Sequence, residues 1–291
     1  MSKKIIALLI AAVMAVLCIG LCGCGNKTQE PESTEPVSEA APALIMLEKP
    51  LSTEQYGIGF KKGNTELRDA VQAALYTLLE NGKVAEIAAN YKDYNLDTML
   101  CLDASKATTF DAENASAEFK ARKKLTVGFD AEYPPYGFMD NNGEYTGFDL
   151  ELAAEVCNIY GWELVKQPID WDSKDNELNS GSIDLIWNGF TMTGREDQYT
   201  WTDAYIDNSI VIVVMDNSGI KSIDDLAGKR VVAQADSSAQ TALDEKPELS
   251  GSFATYELVA DYNTAFMNLK AGVVDAIAVD IGVAQYQLAN Q

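Results

Sequence analysis

The stretch "EQYGIGFKKGNTELRDAVQAAL", residues 54–75, decides how this chain folds. Gln55 to Phe60 alternate as a strand does, "KKGN" turns, and Asn64 or Thr65 stands where a helix cap belongs. Leu67, Val71, Ala74, Leu75 and Leu78 then recur at helical spacing until Gly82 stops the run. The unit is locally complete, yet too little foldable chain precedes it to supply a sheet. A strand and an amphipathic helix must bury their apolar faces against something, so their partners have to come from later in the sequence.

The start of the chain reads as a secretion signal. Lys3 and Lys4 form a positive n-region, "IIALLIAAVMAVLCIG" is an apolar run, and "LCGC" (Leu21 to Cys24) closes it. The closing tetrapeptide resembles the bacterial lipobox, which implies a signal peptide over 1–23 and a lipid on the sulfur of Cys24. A transmembrane anchor is the alternative, against which stand the shortness of the run and its small terminal residues. "GNKTQEPESTEPVSEAAPA" follows as a polar, non-periodic tether over 24–43. The expected location is the extracytoplasmic face of the cell membrane, held by lipid.

The formal net charge of −22 argues against nucleic acid as a partner. The chain has no histidine, which removes the commonest metal ligand and the commonest general base. No metal or cofactor is expected. Cys101 and Cys157 fall in the globular part; Cys157 lies on what reads as a buried helix face, so a packing role outweighs a disulfide.

From Leu125 the pattern is alternating α/β. "LTVGFD" reads as a strand, "YTGFDLELAAEVCNIYGW" as a loop and a helix capped by Asp149, and "ELVKQPI" as a strand. "SIDLIWNGFTMT" reads as a short buried strand and loop, and "SIVIVVMD" as a long β-branched strand. "SIDDLAGKRVVAQADSSAQTAL" gives a short helix, a strand and a loop entering a helix, while "TAFMNLKAGVVDAIAVDIGVAQYQL" gives helix, Gly272 stop, strand and helix. Strands alternating with helices predict a mostly parallel sheet. Residues 97–123 have weak periodicity and read as a partly helical connector; there is no internal repeat.

Four stretches carry chemistry. "GFDAEYPPYGF" places Asp130 past a strand end, where open α/β sheets bind ligands, and Tyr133 before two stiffening prolines; an ordinary cap or turn is the bland reading of that aspartate. "WNGFTMTGRE" supplies Asn188, Gly189, Thr191 and Arg195. Arginine suits two-pronged carboxylate recognition, although a lone arginine is more often a solvated charge. "QADSSAQTAL" offers Gln234 and sets Ser237 and Ser238 at a helix entrance, a place for an anion or simply an N-cap. Asp280 ends the strand in "AIAVDIGVAQ". With Tyr133 and Trp171 as rings, this inventory suits a zwitterion: a cation for a carboxylate, a carboxylate for an ammonium.

The order of "LTVGFDAEYPPYGFMDNNGEYTGFDLELAAEV", "GSIDLIWNGFTMTGREDQYTWTDAYIDNS", "IDDLAGKRVVAQADSS" and "LKAGVVDAIAVD" resembles the amino-acid class of extracellular solute-binding proteins that serve ABC importers. The resemblance covers nearly everything from Leu125 to Gln291. It implies a type II periplasmic-binding-protein fold (Venus flytrap): α/β, two lobes, mostly parallel sheets and two hinge strands. In that family a strand, a hinge strand reading YGIA-x-x-KG and two helices ordinarily follow. "ALIMLEKPLSTEQYGIGFKKGNTELRDAVQAALYTLLENGKVAEIAANY" resembles this portion, set in front, which implies a circular permutant. The implied boundaries are a strand completing the second lobe within 44–54, a hinge strand over 55–61 and first-lobe helices over 62–96. A connector over 97–123 then joins the family's termini, followed by the first lobe over 124–209, a second hinge strand over 210–215 and the second lobe over 216–291. Residues 55–61 are expected to lie beside 210–215.

Carried over position by position, Arg195 would grip the α-carboxylate with Thr191 and the N–H groups near Ser237 and Ser238. Asp280, the Gly189 carbonyl and Thr191 would hold the α-ammonium, Tyr133 and Trp171 would cover the ligand, and Asp130 would face its side chain. Gln234 and Asn188 are further polar candidates. The implied function is a lipid-anchored binding protein that closes on a free amino acid and delivers it to the membrane subunits of an ABC permease; residues 97–123 are long enough to close within one chain, which favours a monomer over a swapped dimer or polymer. The alternatives are a dehydratase-like enzyme on the same scaffold and an extracellular sensor or surface protein.

Overall fold

The computed structural model describes residues 42–291. The signal-peptide reading, Cys24 and most of the proposed tether lie outside the described residues. Among the described residues no helix is long and apolar enough to cross a membrane.

Two mixed sheets form the frame. The larger runs in the order Leu44–Met46, Ile206–Met215, Ala276–Asp280, Arg230–Gln234, Thr255–Val259, with Ser52–Tyr56 also paired to Ile206–Met215. The smaller runs Thr200–Trp201, Gly59–Phe60, Leu185–Ile186, Lys124–Phe129, Glu163–Pro168. Tyr133 sits in a small meander of Glu132–Tyr133, Gly137–Met139 and Tyr145–Thr146 beside the smaller sheet. The strands joined by helices are parallel in each sheet. Those arriving from the other lobe are antiparallel. The sheets are therefore mixed and not mostly parallel, because a chain that passes from one lobe to the other re-enters running the opposite way.

The opening stretch belongs to both sheets. Ser52–Tyr56 lies in the larger sheet and Gly59–Phe60 in the smaller, with the passage at Gly57 and Ile58. The second passage runs from Trp201 to Ile206, and the two hydrogen-bond to each other: Ile58 N donates to Thr202 Oγ1 at 2.9 Å and Tyr205 N to the Tyr56 carbonyl at 3.0 Å. The expected neighbourhood of 55–61 and 210–215 is thus displaced. Tyr56 faces Ile206 and Ser52 faces Ile210, while 210–215 lies wholly within the larger sheet against Ala276–Asp280. The reason is that the polar residues Asp207, Asn208 and Ser209 extend the long strand backward; Gln55 Nε2 donates to Asp207 Oδ1 at 2.8 Å across the pair. The segment read as one strand within 44–54 is two, Leu44–Met46 and Ser52–Tyr56. Between them residues 47–51, with Pro50, stand opposite only 211–212, a bulge where proline's missing donor does no harm.

The helix Thr65–Glu80 buries Leu67, Ala70, Val71, Ala74, Leu75 and Leu78 on its inner face. Asn64 occupies the cap position without a side-chain bond to the helix. The connector holds short helical pieces, Leu96–Met99, Ala104–Lys106 and Ala117–Ala121, and is docked on its own chain. Ser116 N and Oγ donate to the two oxygens of Glu66 at 2.7 and 2.5 Å. Phe119 packs with Phe110, Tyr160 and Trp162 at centroid distances of 4.7, 5.7 and 5.3 Å. Cys157 is buried in the core and Cys101 is partly buried; both are free thiols.

Candidate functional site

The residues singled out from sequence converge where the lobes meet. Tyr133, Trp171, Gly189, Thr191 and Arg195 from the first lobe, with Gln234, Ser237, Ser238 and Asp280 from the second, line one small cavity of about 10 Å³, roughly the room of a single water. The second lobe ends two strands here: Asp280 closes Ala276–Asp280, and Gln234 closes Arg230–Gln234. Strand ends leave backbone groups and short polar side chains facing the gap, and so this edge holds the chemistry.

Each side of the cavity has its own character. Arg195 Nη1 donates to the Thr191 carbonyl at 3.2 Å, its guanidinium stands 5.5 Å over the Phe190 ring, and none of the ion pairs among the described residues involves it. Opposite, Asp280 is 1% exposed; its Oδ1 accepts from Tyr56 Oη at 2.6 Å and from Asn208 Nδ2 at 2.8 Å. Burial raises its pKa, against those donors. Gly189 has φ +56°, and a Cβ there would stand 3.0 to 3.1 Å from the rings of Tyr133, Tyr56 and Tyr136, so only glycine lets the three tyrosines close over this point. Ser237 caps the helix Ser238–Asp244 by accepting from Gln240 N at 3.2 Å, the ordinary N-cap role, while Ser238 Oγ donates to Glu54 Oε1 at 3.1 Å.

Two candidates sit apart from this cavity. Asn188 is buried with its Oδ1 directed at Gly137 and without a hydrogen-bond partner, away from the lining. Asp130 borders a second, larger cavity of about 570 Å³, whose walls include Glu132, Asp170, Trp171, Asp172, Glu177 and Asp261. Its carboxylate accepts from Gln234 Nε2 at 2.6 Å, a bond from lobe to lobe, and burial pushes its pKa up to about 6. Lys174, buried and bonded to Asp236, is a second tie across the gap, and burial lowers its pKa.

Asp149 does not cap its helix; Gly147 holds that position. The Asp149 carboxylate is fully buried, accepts from Gly189 N at 2.5 Å and from Tyr205 Oη at 2.8 Å, and burial pushes its pKa up to about 7. It fixes the loop that carries Gly189 and Thr191.

Sequence reasoning missed Glu54, Tyr56 and Asn208, all buried at the centre of the site. The signal was present in the opening stretch: Glu54 and Tyr56 stand two apart on one strand face, and that face is the inner one. Glu54 Oε1 accepts from Thr191 Oγ1 at 2.6 Å, Asn208 Nδ2 at 2.8 Å and Ser238 Oγ at 3.1 Å. Burial and the neighbouring Asp280 push its pKa up to about 7. Among the described residues no cluster of side chains has the makings of a metal site.

Residues 125–278 match the family described as bacterial extracellular solute-binding proteins, family 3. The L-cystine-binding protein TcyJ of Escherichia coli (strain K12) is 31% identical over 175 residues, 59% of this chain and 64% of that protein. The arginine-binding extracellular protein ArtP of Bacillus subtilis (strain 168) is 34% identical over 128 residues, 44% of this chain and 49% of that one. The chain thus spans less than two thirds of the length of these curated relatives. Among solved structures, an ABC uptake transporter substrate binding protein from Streptococcus pneumoniae with bound histidine superposes with a TM-score of 0.56 at 37% identity, over 57% of this chain and 70% of that one. The arginine-bound form of truncated ArgBP from T. maritima gives a TM-score of 0.56 at 31% identity, over 60% and 82%. The chain belongs to the bacterial extracellular solute-binding proteins, family 3, and has their two-lobed type II periplasmic-binding fold.

Proposed function

We propose that this protein is the substrate-binding lipoprotein of an ABC importer, which closes its two lobes on a free amino acid and hands it to a membrane permease without making or breaking a bond. The observation that carries the reading is the cavity between the lobes, which Arg195 and Asp280 both line among hydroxyls and rings. Arg195, with Thr191 and the N–H groups near Ser237 and Ser238, takes the α-carboxylate. Asp280, the Gly189 carbonyl and Thr191 take the α-ammonium, with Tyr133 and Trp171 as covers, and Asp130 and Gln234 stand at the side-chain end. The room between these groups holds about one water, so entry of an amino acid requires the ties Asp130–Gln234 and Lys174–Asp236 to part and the lobes to swing about the passages at 57–58 and 202–205.

The side-chain end opens toward the acidic 570 Å³ cavity. Carboxylates on this scale repel an acidic side chain and favour a cationic or neutral polar one. Relatives named for cystine and arginine, and a neighbour holding histidine, support that choice.

In the same reading, Cys24 carries lipid and 24–43 tether the domain to the membrane. Residues 44–96 are the family's C-terminal portion placed in front, with 97–123 bridging. The pairing of 44–60 with both sheets and the docked connector support this arrangement.

A thermal-shift screen of the common amino acids with cystine and ornithine identifies the ligand, and calorimetry then tests the site. Arg195→Ala is expected to lower affinity by about a hundredfold or more, since two charge-assisted bonds of ~1.5 to 3 kcal/mol each go with it. Unchanged affinity in a folded variant would exclude the proposed carboxylate grip, and turnover of any candidate detected by mass analysis would exclude a purely binding role.

A further inference from the structure

Glu54 has no part in the ligand roles above, yet its carboxylate stands among the groups assigned to the ligand. Its Oε1 collects the hydroxyl of Thr191 from the first lobe, the hydroxyl of Ser238 from the second, and the amide of Asn208. The same Asn208 Nδ2 donates to Asp280, so Glu54 lies next to the residue assigned to the ammonium. Hydroxyl donors on one side and an ammonium acceptor on the other are the surroundings that an amino acid's own carboxylate requires.

We propose that Glu54 is a tethered competitor for the ligand's α-carboxylate: it occupies the Thr191–Ser238 seat and has to leave it when an amino acid enters. The inference rests on the roles given to Thr191 and Ser238 under the proposed function. The backbone of Glu54 is held by its pairing with Asn208, so the side chain alone must move. It has somewhere to go. A cavity of about 250 Å³ borders Glu54, with Thr193, Arg195, Gln198, Thr241 and Glu245 around it.

The competition depends on charge. The titratable groups facing Glu54 are Asp280, Tyr56 on its own strand, Tyr136 from the first lobe, and Tyr262 from the second. Arg195 and Glu245 lie around the neighbouring cavity. Ionised, Glu54 is an anion in an anion's seat; protonated, its oxygen is a weaker acceptor and an arriving carboxylate displaces it more easily. With its pKa near 7, the ionised form dominates at about pH 8 and the neutral form at about pH 6.

Glu54→Gln removes the charge and keeps the shape, and Glu54→Ala empties the seat. By calorimetry with the best ligand from the screen, Glu54→Gln is expected to bind about tenfold more tightly than the wild type at about pH 8, with the gap closing toward about pH 6. Affinity equal to or weaker than that of the wild type at about pH 8 would overturn the proposal, placing Glu54 instead with Asp280 as an ammonium acceptor or in a purely structural role. A second arm needs no amino acid. Acetate at tens of millimolar, against sodium chloride at matched ionic strength, is expected to raise the melting temperature of Glu54→Ala by about 3 °C or more and to leave the wild type unmoved, because the free carboxylate refills the seat. No acetate effect on Glu54→Ala would overturn the seat itself. If neither wild type nor Glu54→Gln binds any amino acid while acetate does refill the seat, the proposed function fails and the carboxylate seat stands.

Discussion

Asp149 shows at the scale of one residue how burial sets a carboxylate's behaviour. It is fully buried, no cation reaches it, and its two donors, Gly189 N and Tyr205 Oη, offset only part of the desolvation that pushes its pKa up to about 7 from 3.8. A raised folded-state pKa in an acid means that the folded state holds the proton more tightly than the unfolded chain does. The resulting stability is fully present below about pH 4, drains as pH rises, and is gone above about pH 7. Wild-type unfolding free energy is therefore expected to fall between about pH 4 and pH 8, with Asp149 responsible for about 2 to 4 kcal/mol of the change. Asp149→Asn should remove that share, read by urea unfolding at several pH values; a variant with the wild-type slope would show that Asp149 is ionised when folded. This aspartate was legible only as a helix-start residue, since its burial depends on Tyr205 and Gly189, brought in by the fold from far along the chain. The cavity-lining residues were more legible, because strand ends and a glycine-rich loop mark themselves in the text. Asn208 was not, and Glu54 was legible only through its shared strand face with Tyr56: a glutamate on a short strand reads as solvent-facing until the strand's partner is known.

At the scale of elements, what was legible followed from periodicity, and what was displaced followed from polar residues inside strands. The apolar run of 209–216 announced a strand, but its true start at Ile206 lies among polar residues that alternate toward the site and toward solvent. Each lobe's sheet ended up mixed because the passages between lobes, at 57–58 and 202–205, are too short to declare their direction. The connector is the element that sequence described least, being weakly periodic and yet anchored by aromatic packing. Phe119, 7% exposed, holds the helix Ala117–Ala121 against Phe110, Tyr160 and Trp162. Phe119→Ala is expected to cost about 3 to 5 kcal/mol, the usual range for deleting a buried aromatic ring. Urea unfolding followed by tryptophan fluorescence would register this; a loss under about 1 kcal/mol would mean that the connector adds little to the fold.

For the molecule as a whole, the question is how a strand–turn–helix unit near the front of the chain comes to complete sheets built from much later residues. Leu44 N donates to Gln291 Oε1 at 2.5 Å and the Ala43 carbonyl accepts from Asp216 N at 2.8 Å, so position 291 and the segment 43–44 meet at one corner of the larger sheet. At the other end of the arrangement, 97–123 runs from the helices of 65–89 to the strand Lys124–Phe129, pinned by Glu66–Ser116 and by Cys101 N to the Tyr205 carbonyl at 3.0 Å. The proposed permutation therefore makes a demanding prediction: the order of the two blocks is interchangeable. A chain that starts at 124, runs to 291, continues through a short glycine-rich linker into 43, and ends at 96 keeps every pairing between 44–60 and the two sheets. Such a rearranged chain is expected to fold as a monomer by sizing chromatography and to bind the same amino acid within about threefold, since loop closure changes stability only slowly with loop length. Its stability should drop by the connector's aromatic packing, comparable to the Phe119→Ala loss. A rearranged chain that dimerises would show that the front segment reaches its sheets only by exchange between copies, and one that fails to fold whether it ends at 96 or keeps 97–123 as its tail would remove the permutation from the account of this fold.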